Sequence, residues 1–419
     1  MCRSARLALI LIVLCAIPAL WLRFDTRLPV VAVQLDRDGD GRLERSELGP
    51  VAARRFDAID GDGSGVVDGS EFRRWILRQW WQGRTRPLEV PELPAQLDAE
   101  ALRRWIEAPV ARDELDGVGL LVLRDGEVVF RHVAGDLAAD AAVPLGTASE
   151  WLTGATFACL ADRGQLDPDA PIETARVGLS PRWSGITLTQ LLSHTAGVPA
   201  EPLSSLDPAL SLRVAGRMVA DAFPPVAPGT VFRPGEVALL VAGAVAEART
   251  GRPWRRLFVE CLEWPLSLSS AAWGHPLAGP SRRGLVMPGS GLYMSLDDYG
   301  AFLSMLQQQG RYDAVPNLSA QAVRWLLTER AGDLPRERLP SHADPAWGHA
   351  IGAWCEAVDA AGVCTQLIRP GSHGALAWLD RERSLAGILI SVDAPGRVQA
   401  WNRATRDFAT RVFWRAGLR

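Results

Sequence analysis

The sequence contains no lysine: all 45 residues counted as lysine or arginine are arginines. A mechanism in which a lysine amine accepts a proton is therefore excluded. The net charge of -3 and the pI of about 6.1 give no reason to expect a nucleic-acid partner. The 419 residues, 48% of them hydrophobic, are enough for one large core and a small accessory domain.

The beginning of the chain, residues 1–24, is predicted to direct export. Arg3 and Arg6 precede an apolar run from Leu7 to Leu22, an arrangement typical of an export signal. The run is short against the roughly 20 residues of a typical membrane-spanning helix. No Ala-x-Ala cleavage site follows it, so a signal peptide and a retained anchor in the inner membrane both stay open, and we favour the anchor. Either interpretation predicts a periplasmic or cell-envelope location.

Two of the six cysteines fall in this export segment, and the other four belong to the rest of the chain. Cys159 and Cys261 lie in apolar helical patterns and are expected to be buried thiols. Cys355 and Cys364 flank two strand-like runs around an Ala-Gly turn. In an oxidising compartment this pattern predicts a cross-strand disulfide.

Two acidic stretches, residues 36–47 and 60–71, follow one template of twelve positions. Oxygen-bearing side chains occupy positions 1, 3 and 5, glycine occupies position 6, an aliphatic residue position 8 and glutamate position 12. This is the EF-hand calcium loop, in which the chain wraps around an ion that prefers six to eight oxygens. A surface turn rich in aspartate and glycine is the alternative, and two matches in register argue against it. The predicted metal ligands are Asp36, Asp38, Asp40, the Arg42 carbonyl and Glu47, then Asp60, Asp62, Ser64, the Val66 carbonyl, Asp68 and Glu71.

The two loops are predicted to form a compact calcium-binding pair. They begin 24 positions apart, and Pro50 interrupts the segment between them, so only the stretch 51–59 can form a connecting helix. Leu43 and Val67, at position 8 of each loop, are expected to pair in a short β-bridge. The spacing resembles compact EF-hand pairs of exported bacterial proteins. Because calcium is plentiful outside cells, we expect a constitutively filled structural site.

The remaining chain is predicted to form one α+β domain. A hairpin is indicated where two alternating strands flank an Asp-Gly turn near residue 125, and strand patterns return after a long helical middle portion. This order implies an antiparallel sheet closed by both ends of the domain, with flanking helices and a helical subdomain. The expected segments are an export signal or anchor (1–24), an EF-hand pair (28–80), a Pro-rich linker (81–96) and the large domain (97–419).

Several stretches of the large domain carry a family resemblance. "ITLTQLLSHTAGVP", "PGTVFRPGEVALLVAGAVAEARTGRPW", "GSGLYMSLDDYGAFLSMLQQQG" and "RPGSHGALAWLDRERSLAGILI" follow one another in the order found in that family. The domain resembles the serine β-lactamase and penicillin-binding-protein superfamily, in its class C and esterase-like branch. The resemblance implies a nucleophilic serine, a lysine three residues later, a tyrosine in a second motif and a basic residue before a glycine on the last strand.

This chain departs from the catalytic set that the resemblance implies. Counting from the segment after the nucleophile helix puts Thr147 at the serine and Glu150 at the lysine. Pro234 falls at the tyrosine, Glu236 falls at the Asn or Ser that follows it, and the third motif becomes Arg369-Pro370-Gly371. Both proton-transfer partners are thus replaced. Arg369 and Gly371, with the neighbouring His373, remain candidates for substrate binding.

No other register restores the site. Ser149 has Leu152 three residues later, which cannot move a proton, and a Gly-x-Ser-x-Gly elbow is absent. A Thr147–Glu150 pair could act only if burial raised the pKa of the glutamate. His194, in "LLSHTAG", is interpreted as a loop-fixing residue rather than a reactive one. His373 is interpreted either as a cleft residue or as a surface residue.

Three functions stay open at this point. The favoured one is an exported calcium-binding protein whose β-lactamase-like domain is a non-catalytic pseudoenzyme that binds a cell-wall peptide or a protein ligand. The second is an active esterase, peptidase or β-lactamase-related hydrolase with an altered Thr/Glu or Ser centre. The third makes the large domain a scaffold and the EF-hands a docking module.

Overall fold

The computed structural model describes residues 36–47, 56–75 and 86–414, apart from positions 37, 73, 139, 202, 204–205, 276–278, 341–342, 392 and 394. The chain divides into two compact units, Met1–Arg86 and Pro87–Arg419. The predicted export segment, residues 1–24, lies outside the described residues. Within the described ranges, no helix combines the length and the apolar character needed to cross a bilayer.

The first unit contains a small two-stranded sheet between the acidic loops. Strand β1 (Leu43–Glu44) pairs antiparallel with β2 (Val66–Val67), and helix α1 (Phe56–Ile59) lies between them in the chain. Leu43 is opposite Val67, which confirms the expected pairing of the two position-8 residues. Both side chains are buried, together with Phe56 and Ile59. The predicted connecting helix is described only over its last turn, since residues 51–55 lie outside the described residues.

The second unit is built on a seven-stranded antiparallel sheet, ordered β11-β12-β13-β14-β15-β3-β4. The neighbouring strands β15 and β3 come from opposite ends of the domain, which confirms the sheet closed by both ends. The predicted hairpin is β3–β4, with Asp125 and Gly126 in left-handed conformations at its turn. The strands are β3 (Gly117–Arg124), β4 (Glu127–Gly135), β11 (Gly348–His349), β12 (Trp354–Val358), β13 (Cys364–Pro370), β14 (Ala375–Asp380) and β15 (Leu385–Ile390).

Helices and short strands occupy the rest of the second unit, as expected for the α+β class. The short strands are β5 (Val143–Pro144), β6 (Ala272–His275), β7 (Gly279–Pro280) and β8 (Leu292–Met294), which form one sheet, and the pair β9 (Arg311–Tyr312) and β10 (Val315–Pro316). The α-helices are α2 (Ala99–Ala111), α3 (Ser149–Asp162), α4 (Thr174–Val177), α5 (Leu188–Leu192), α6 (Leu212–Ala222), α7 (Glu236–Thr250), α8 (Trp254–Phe258), α9 (Trp264–Leu266), α10 (Leu296–Gln307), α11 (Ala320–Leu327) and α12 (Pro395–Phe413).

The two apolar clusters of this unit lie on opposite faces of the sheet, and the larger cluster encloses α3. Helix α3 is buried along nearly its whole length, from Ser149 to Leu160, within the larger cluster. Trp105 of α2 and Phe408 of α12 pack edge to face in the other cluster. A helix buried on all sides holds its first turn, where the site lies, in one position.

Four cysteines of the second unit form two disulfides. Cys355 and Cys364 are linked across the β12–β13 hairpin, with Cα atoms 5.6 Å apart. Cys159 and Cys261 are also linked, with Cα atoms 5.8 Å apart, so the interpretation of this pair as buried thiols is wrong. Both residues are buried as expected, but an apolar helical pattern shows only that a thiol is buried and not which thiol it faces.

Candidate functional site

The first site is the pair of acidic loops. In each loop, carboxylate oxygens from positions 1, 3 and 12 lie within 4.8 Å of one another: Asp36, Asp38 and Glu47, then Asp60, Asp62 and Glu71. The two glutamates are almost fully buried, with 6% and 3% of their surface exposed. Converging carboxylates repel one another unless a cation lies among them, and hard oxygen donors suit calcium.

The loop backbone also fits an EF-hand. Gly41 and Gly65, at position 6, both have φ of +83°, a conformation that favours glycine. Their amides donate to the position-1 carboxylates, at 2.8 Å for Asp36 Oδ2 and 2.9 Å for Asp60 Oδ2. These bonds turn each loop so that its carboxylates face inward. The residues present therefore fit calcium, with the two glutamates as the ligands that close each loop.

The second site is the first turn of α3, where the family's nucleophile would stand. Thr147 is partly exposed, and its hydroxyl donates to the Pro370 carbonyl at 3.0 Å. Ser149 is buried; its hydroxyl donates to the Gly146 carbonyl at 2.7 Å and accepts from the Leu292 amide at 3.1 Å. Each hydroxyl thus donates its proton to a backbone carbonyl, and neither carbonyl can act as a general base.

Glu150 forms a buried ion pair with the third motif. Its Oε1 lies 2.5 Å from Arg369 Nη2, and its Oε2 lies 3.1 Å from His194 Nε2. The exposed fractions of Glu150, Arg369 and His194 are 6%, 4% and 2%. Arg369 Nε also donates to the Thr147 carbonyl at 2.8 Å. Arg369, the cation of the third motif, is therefore paired with Glu150, which stands where the family has its lysine.

This pair determines the protonation of Glu150. Burial alone would raise the pKa of its carboxyl, but the charge of Arg369 and the hydrogen bond from His194 lower the pKa below its usual value. A general base works best when its pKa is near the operating pH. The condition for a Thr147–Glu150 catalytic pair, a raised glutamate pKa, is thus not met.

A second carboxyl lies in the region of the second motif. Ser290 donates to Glu236 Oε2 at 2.9 Å, while Glu236 Oε1 is enclosed and has no hydrogen-bond partner among the described residues. Burial raises the pKa of Glu236 to about 7, and the charge of Glu150 adds to the effect. Nearby, the Gly235 amide donates to His194 Nδ1 at 3.4 Å. Replacement of the motif's amide or hydroxyl side chain by glutamate has therefore created a group that titrates near neutrality.

The third motif is packed tightly against the start of α3. A side chain at Gly371 would lie 2.3 Å from the Leu145 carbonyl, and one at Gly146 would lie 2.0 Å from Ser372 Oγ, so only glycine fits at either position. Ser372 is exposed, and its hydroxyl lies 3.3 Å from His373 Nδ1. His373 is partly buried, which lowers the pKa of its imidazole. Of the predicted substrate-binding residues, His373 is partly exposed beside the exposed Ser372, whereas Arg369 and Gly371 are buried.

Sequence reasoning missed two buried residues beside the ion pair. Tyr299 donates to the Ala148 carbonyl at 3.1 Å. His349, on β11, is fully buried, and its ring centroid lies 5.2 Å from that of His194. Burial and the positive charges around it hold the pKa of His349 well below its usual value, so the ring is neutral. Tyr299 lies in one of the stretches that carry the family resemblance but at none of the expected catalytic positions, and His349 lies in none of these stretches, so no local signal marked either residue.

His194 has a structural role in this geometry. It adopts a left-handed conformation with φ of +60°, and its ring bridges Glu150 and the Gly235 amide. Since Nδ1 accepts from Gly235, Nε2 carries the proton and donates to Glu150. The ring therefore joins the first and second motif regions, as the interpretation of a loop-fixing histidine expects.

Comparison with known families agrees with this architecture. The family model described as Beta-lactamase matches residues 102–410, well over half of the chain, and the chain belongs to this family. A model described as EF hand matches residues 33–49 and 52–77. A search among curated proteins finds no match.

Solved structures show the same fold in several relatives. A protein of Bacteroides dorei DSM 17855 described as a β-lactamase is 24% identical, with a TM-score of 0.65 over 76% of this chain and 99% of that one. EstCE1, described as a hydrolase with promiscuous acyltransferase activity, is 18% identical, with a TM-score of 0.60 over 74% of this chain and 97% of that one. A penicillin-binding protein homologue of Pyrococcus abyssi is 15% identical, with a TM-score of 0.60 over 75% and 77% of the two chains.

Proposed function

We propose that the β-lactamase-like domain is a non-catalytic binding domain, carried by an exported protein whose EF-hand pair holds calcium. The observation that carries this proposal is the buried Glu150–Arg369 ion pair. Acylation in the family needs a basic amine beside the nucleophile and a cation free to hold the substrate. Here the amine is replaced by a carboxylate of lowered pKa, and the guanidinium is neutralised by that same carboxylate.

Turnover assays test the loss of catalysis. Purified full-length protein is expected to hydrolyse neither a chromogenic cephalosporin nor nitrophenyl esters above background, and a fluorophosphonate probe for serine hydrolases is expected not to label it. Thr147→Ala serves as the matched control, because it removes the hydroxyl at the nucleophile position. Turnover that disappears in Thr147→Ala would contradict the proposal.

The partner of the binding domain is proposed from the exposed rim of the site. Ser372 is exposed and Thr147 and His373 are partly exposed, so hydroxyl and imidazole groups lie at the surface here, while the buried Arg369 charge is already neutralised. This favours a cell-wall peptide or a protein segment held by hydrogen bonds. Co-sedimentation with purified peptidoglycan, compared between the wild-type protein and Ser372→Ala/His373→Ala, tests this; equal sedimentation of both would contradict binding at this rim.

Export is proposed on two grounds. Residues 1–24 have the charge and apolar pattern of an export signal, and two disulfides in the second unit suit an oxidising compartment. An alkaline-phosphatase fusion after residue 30 is expected to be active in a bacterial host. An inactive phosphatase fusion together with a fluorescent cytoplasmic fusion would contradict export.

An altered hydrolase is the second candidate, and one observation favours it. Glu236, with a pKa of about 7, is suited to general-base chemistry, and the hydroxyl bonded to it belongs to Ser290. The nucleophile of such an enzyme would therefore be Ser290 rather than Thr147 or Ser149. Turnover lost in both Ser290→Ala and Glu236→Gln but kept in Thr147→Ala would establish this candidate in place of the first.

A further inference from the structure

Three buried side chains from separate elements converge behind the ion pair. Glu150 lies in the first turn of α3, His194 follows α5, and His349 belongs to β11. One carboxylate oxygen and one ring nitrogen from each histidine all lie within 4.8 Å of one another. All three side chains are nearly or fully buried. The fold thus holds two imidazoles and a carboxylate around one point, away from bulk water.

His349 supplies an independent reason to expect a ligand there. Both of its ring nitrogens are enclosed, and neither makes a hydrogen bond of acceptable geometry with any described residue, including the adjacent Ala350. Buried polar atoms in folded proteins are almost always bonded, so two unpartnered nitrogens on one ring require an explanation. Phe232 and Trp354 pack around the ring, with centroids 5.1 and 5.0 Å away, and fix its position without bonding to either nitrogen.

We infer that Glu150, His194 and His349 bind one divalent transition-metal ion of the zinc class. Two imidazoles and one carboxylate are a common ligand set for zinc, and imidazole also suits copper, nickel and iron. Calcium and magnesium prefer oxygen donors, so this site is chemically distinct from the EF-hand loops. Three protein ligands leave a fourth position for water.

The geometry of Glu150 is compatible with an ion at this point, which would have to bind despite the positive charges of Arg369 and Arg336 near His349. Arg369 bonds Oε1 of Glu150, so Oε2 remains for the metal, and a hydrogen bond of this kind orients a ligating carboxylate. Oε2 and His194 Nε2 are 3.1 Å apart, close to the roughly 3.3 Å expected between two ligand atoms at tetrahedral zinc.

Metal binding requires one local change. The proton of His194 must move from Nε2 to Nδ1, so the Gly235 amide contact at 3.4 Å has to open. The bond is long, and its loss is small against the coordination of a metal ion. The site does not depend on the proposed non-catalytic role, since a metal could be held there whether or not substrates turn over.

Cobalt is a suitable probe because its visible spectrum reports the ligand geometry. Full-length protein would be stripped of metal, saturated with calcium to fill the EF-hand loops, and titrated with Co²⁺. We expect one equivalent to bind with the intense absorption of a four- or five-coordinate site, and Zn²⁺ to displace it. His349→Phe, which keeps an aromatic ring among its neighbours, is expected to lose this absorption. His275→Asn changes a buried histidine outside the cluster and is expected to keep it.

Crystals of the wild-type protein soaked with zinc give a readout that needs no variant. An anomalous peak at the zinc edge between Glu150, His194 and His349 would support the site even if His349→Phe fails to fold. Absence of this peak at millimolar zinc, or cobalt absorption that folded His349→Phe retains, would overturn the inference and leave His349 as a neutral core histidine. A negative result in the metal-binding experiments would not alter the result of the turnover assays, so the two proposals are tested separately.

Discussion

Arg369 Nη2 lies 2.5 Å from Glu150 Oε1, in a position where almost no water reaches either group. This pair joins the first turn of α3 to β13, the two elements that carry the first and third motifs. Each side chain compensates for the other: a lone glutamate or a lone arginine would be a buried uncompensated charge. The glutamate that stands in place of the family's lysine is therefore best understood together with Arg369, whose charge it neutralises.

Removing one member of this pair is predicted to destabilise the protein strongly. Glu150→Gln leaves the Arg369 charge buried, and breaking a buried pair in this way costs about 3–5 kcal/mol of unfolding free energy. Chemical denaturation of the wild type and the variant measures the difference. Glu100→Gln is the control, since its partners Arg103 and Arg104 are exposed and their loss should cost at most about 1 kcal/mol.

The double variant Glu150→Leu/Arg369→Leu should separate charge from packing. It removes both charges and fills the space with apolar side chains. The loss of stability is therefore expected to be smaller than that of Glu150→Gln. A double variant that is less stable than the single one would show that the pair contributes through hydrogen bonds and shape rather than through charge compensation.

Glu236 is predicted to make stability fall as the pH rises through the neutral range. Its usual pKa of 4.5 rises to about 7 in the folded state, so between these values the folded protein holds a proton that the unfolded chain has lost. The unfolding free energy therefore decreases by about 3 kcal/mol in total between pH 4.5 and 7, and it stays low above pH 7.

The variant Glu236→Gln checks this pH dependence. It has no titrating group, so it should gain stability relative to the wild type at pH 8 but not at pH 4. Ser290 can still donate to the amide oxygen, which keeps the local hydrogen bond. A difference between the two proteins that does not change with pH would contradict the raised pKa.

Calcium is predicted to stabilise the first unit through both loops. Glu47→Gln and Glu71→Gln each remove one charged ligand from one loop. Isothermal titration calorimetry should therefore detect two sites in the wild type, and in each variant one of these two sites should be weakened. Calcium is also expected to raise the melting temperature of the wild type. Asp57→Asn is the control, because this exposed residue lies between the two loops and belongs to neither. No binding at millimolar calcium would contradict the assignment.

The two disulfides are predicted to contribute unequally. The loop closed by Cys159 and Cys261 spans 102 positions, whereas that of Cys355 and Cys364 spans 9. Loop-closure entropy then gives about 5 kcal/mol for the first and about 3 kcal/mol for the second. Denaturation of the variants Cys159→Ala/Cys261→Ala and Cys355→Ala/Cys364→Ala measures the order, and a larger loss from the second pair would contradict it.

The features predictable from the sequence are those that short segments encode. The acidic loops depend on spacing within twelve residues, and the β3–β4 hairpin depends on alternation around one Asp-Gly turn. Both appear in the structure at the expected residues. The order of strand and helix patterns predicted the α+β sheet, and the family resemblance indicated that Thr147, Glu150 and Arg369 stand at positions of the catalytic set.

The sequence could not show contacts between residues that are far apart in the chain. Arg369 looked like a substrate-binding residue because nothing local indicated that Glu150 would neutralise it. Cys159 and Cys261 looked like separate thiols because each helical pattern indicates burial but not a partner. The pKa of Glu236 depends on enclosure by Gly289 and Ser290, which come from another part of the chain.

Covalent acylation tests the central claim most directly. Intact-protein mass spectrometry after prolonged incubation with a penicillin in excess would show whether any residue forms an acyl-enzyme. Because the proton acceptor beside Thr147 is replaced and Arg369 is neutralised, we expect the mass to remain that of the unmodified protein. An added mass equal to one penicillin, retained in Ser290→Ala and lost in Thr147→Ala, would show that the family chemistry survives and would contradict this account.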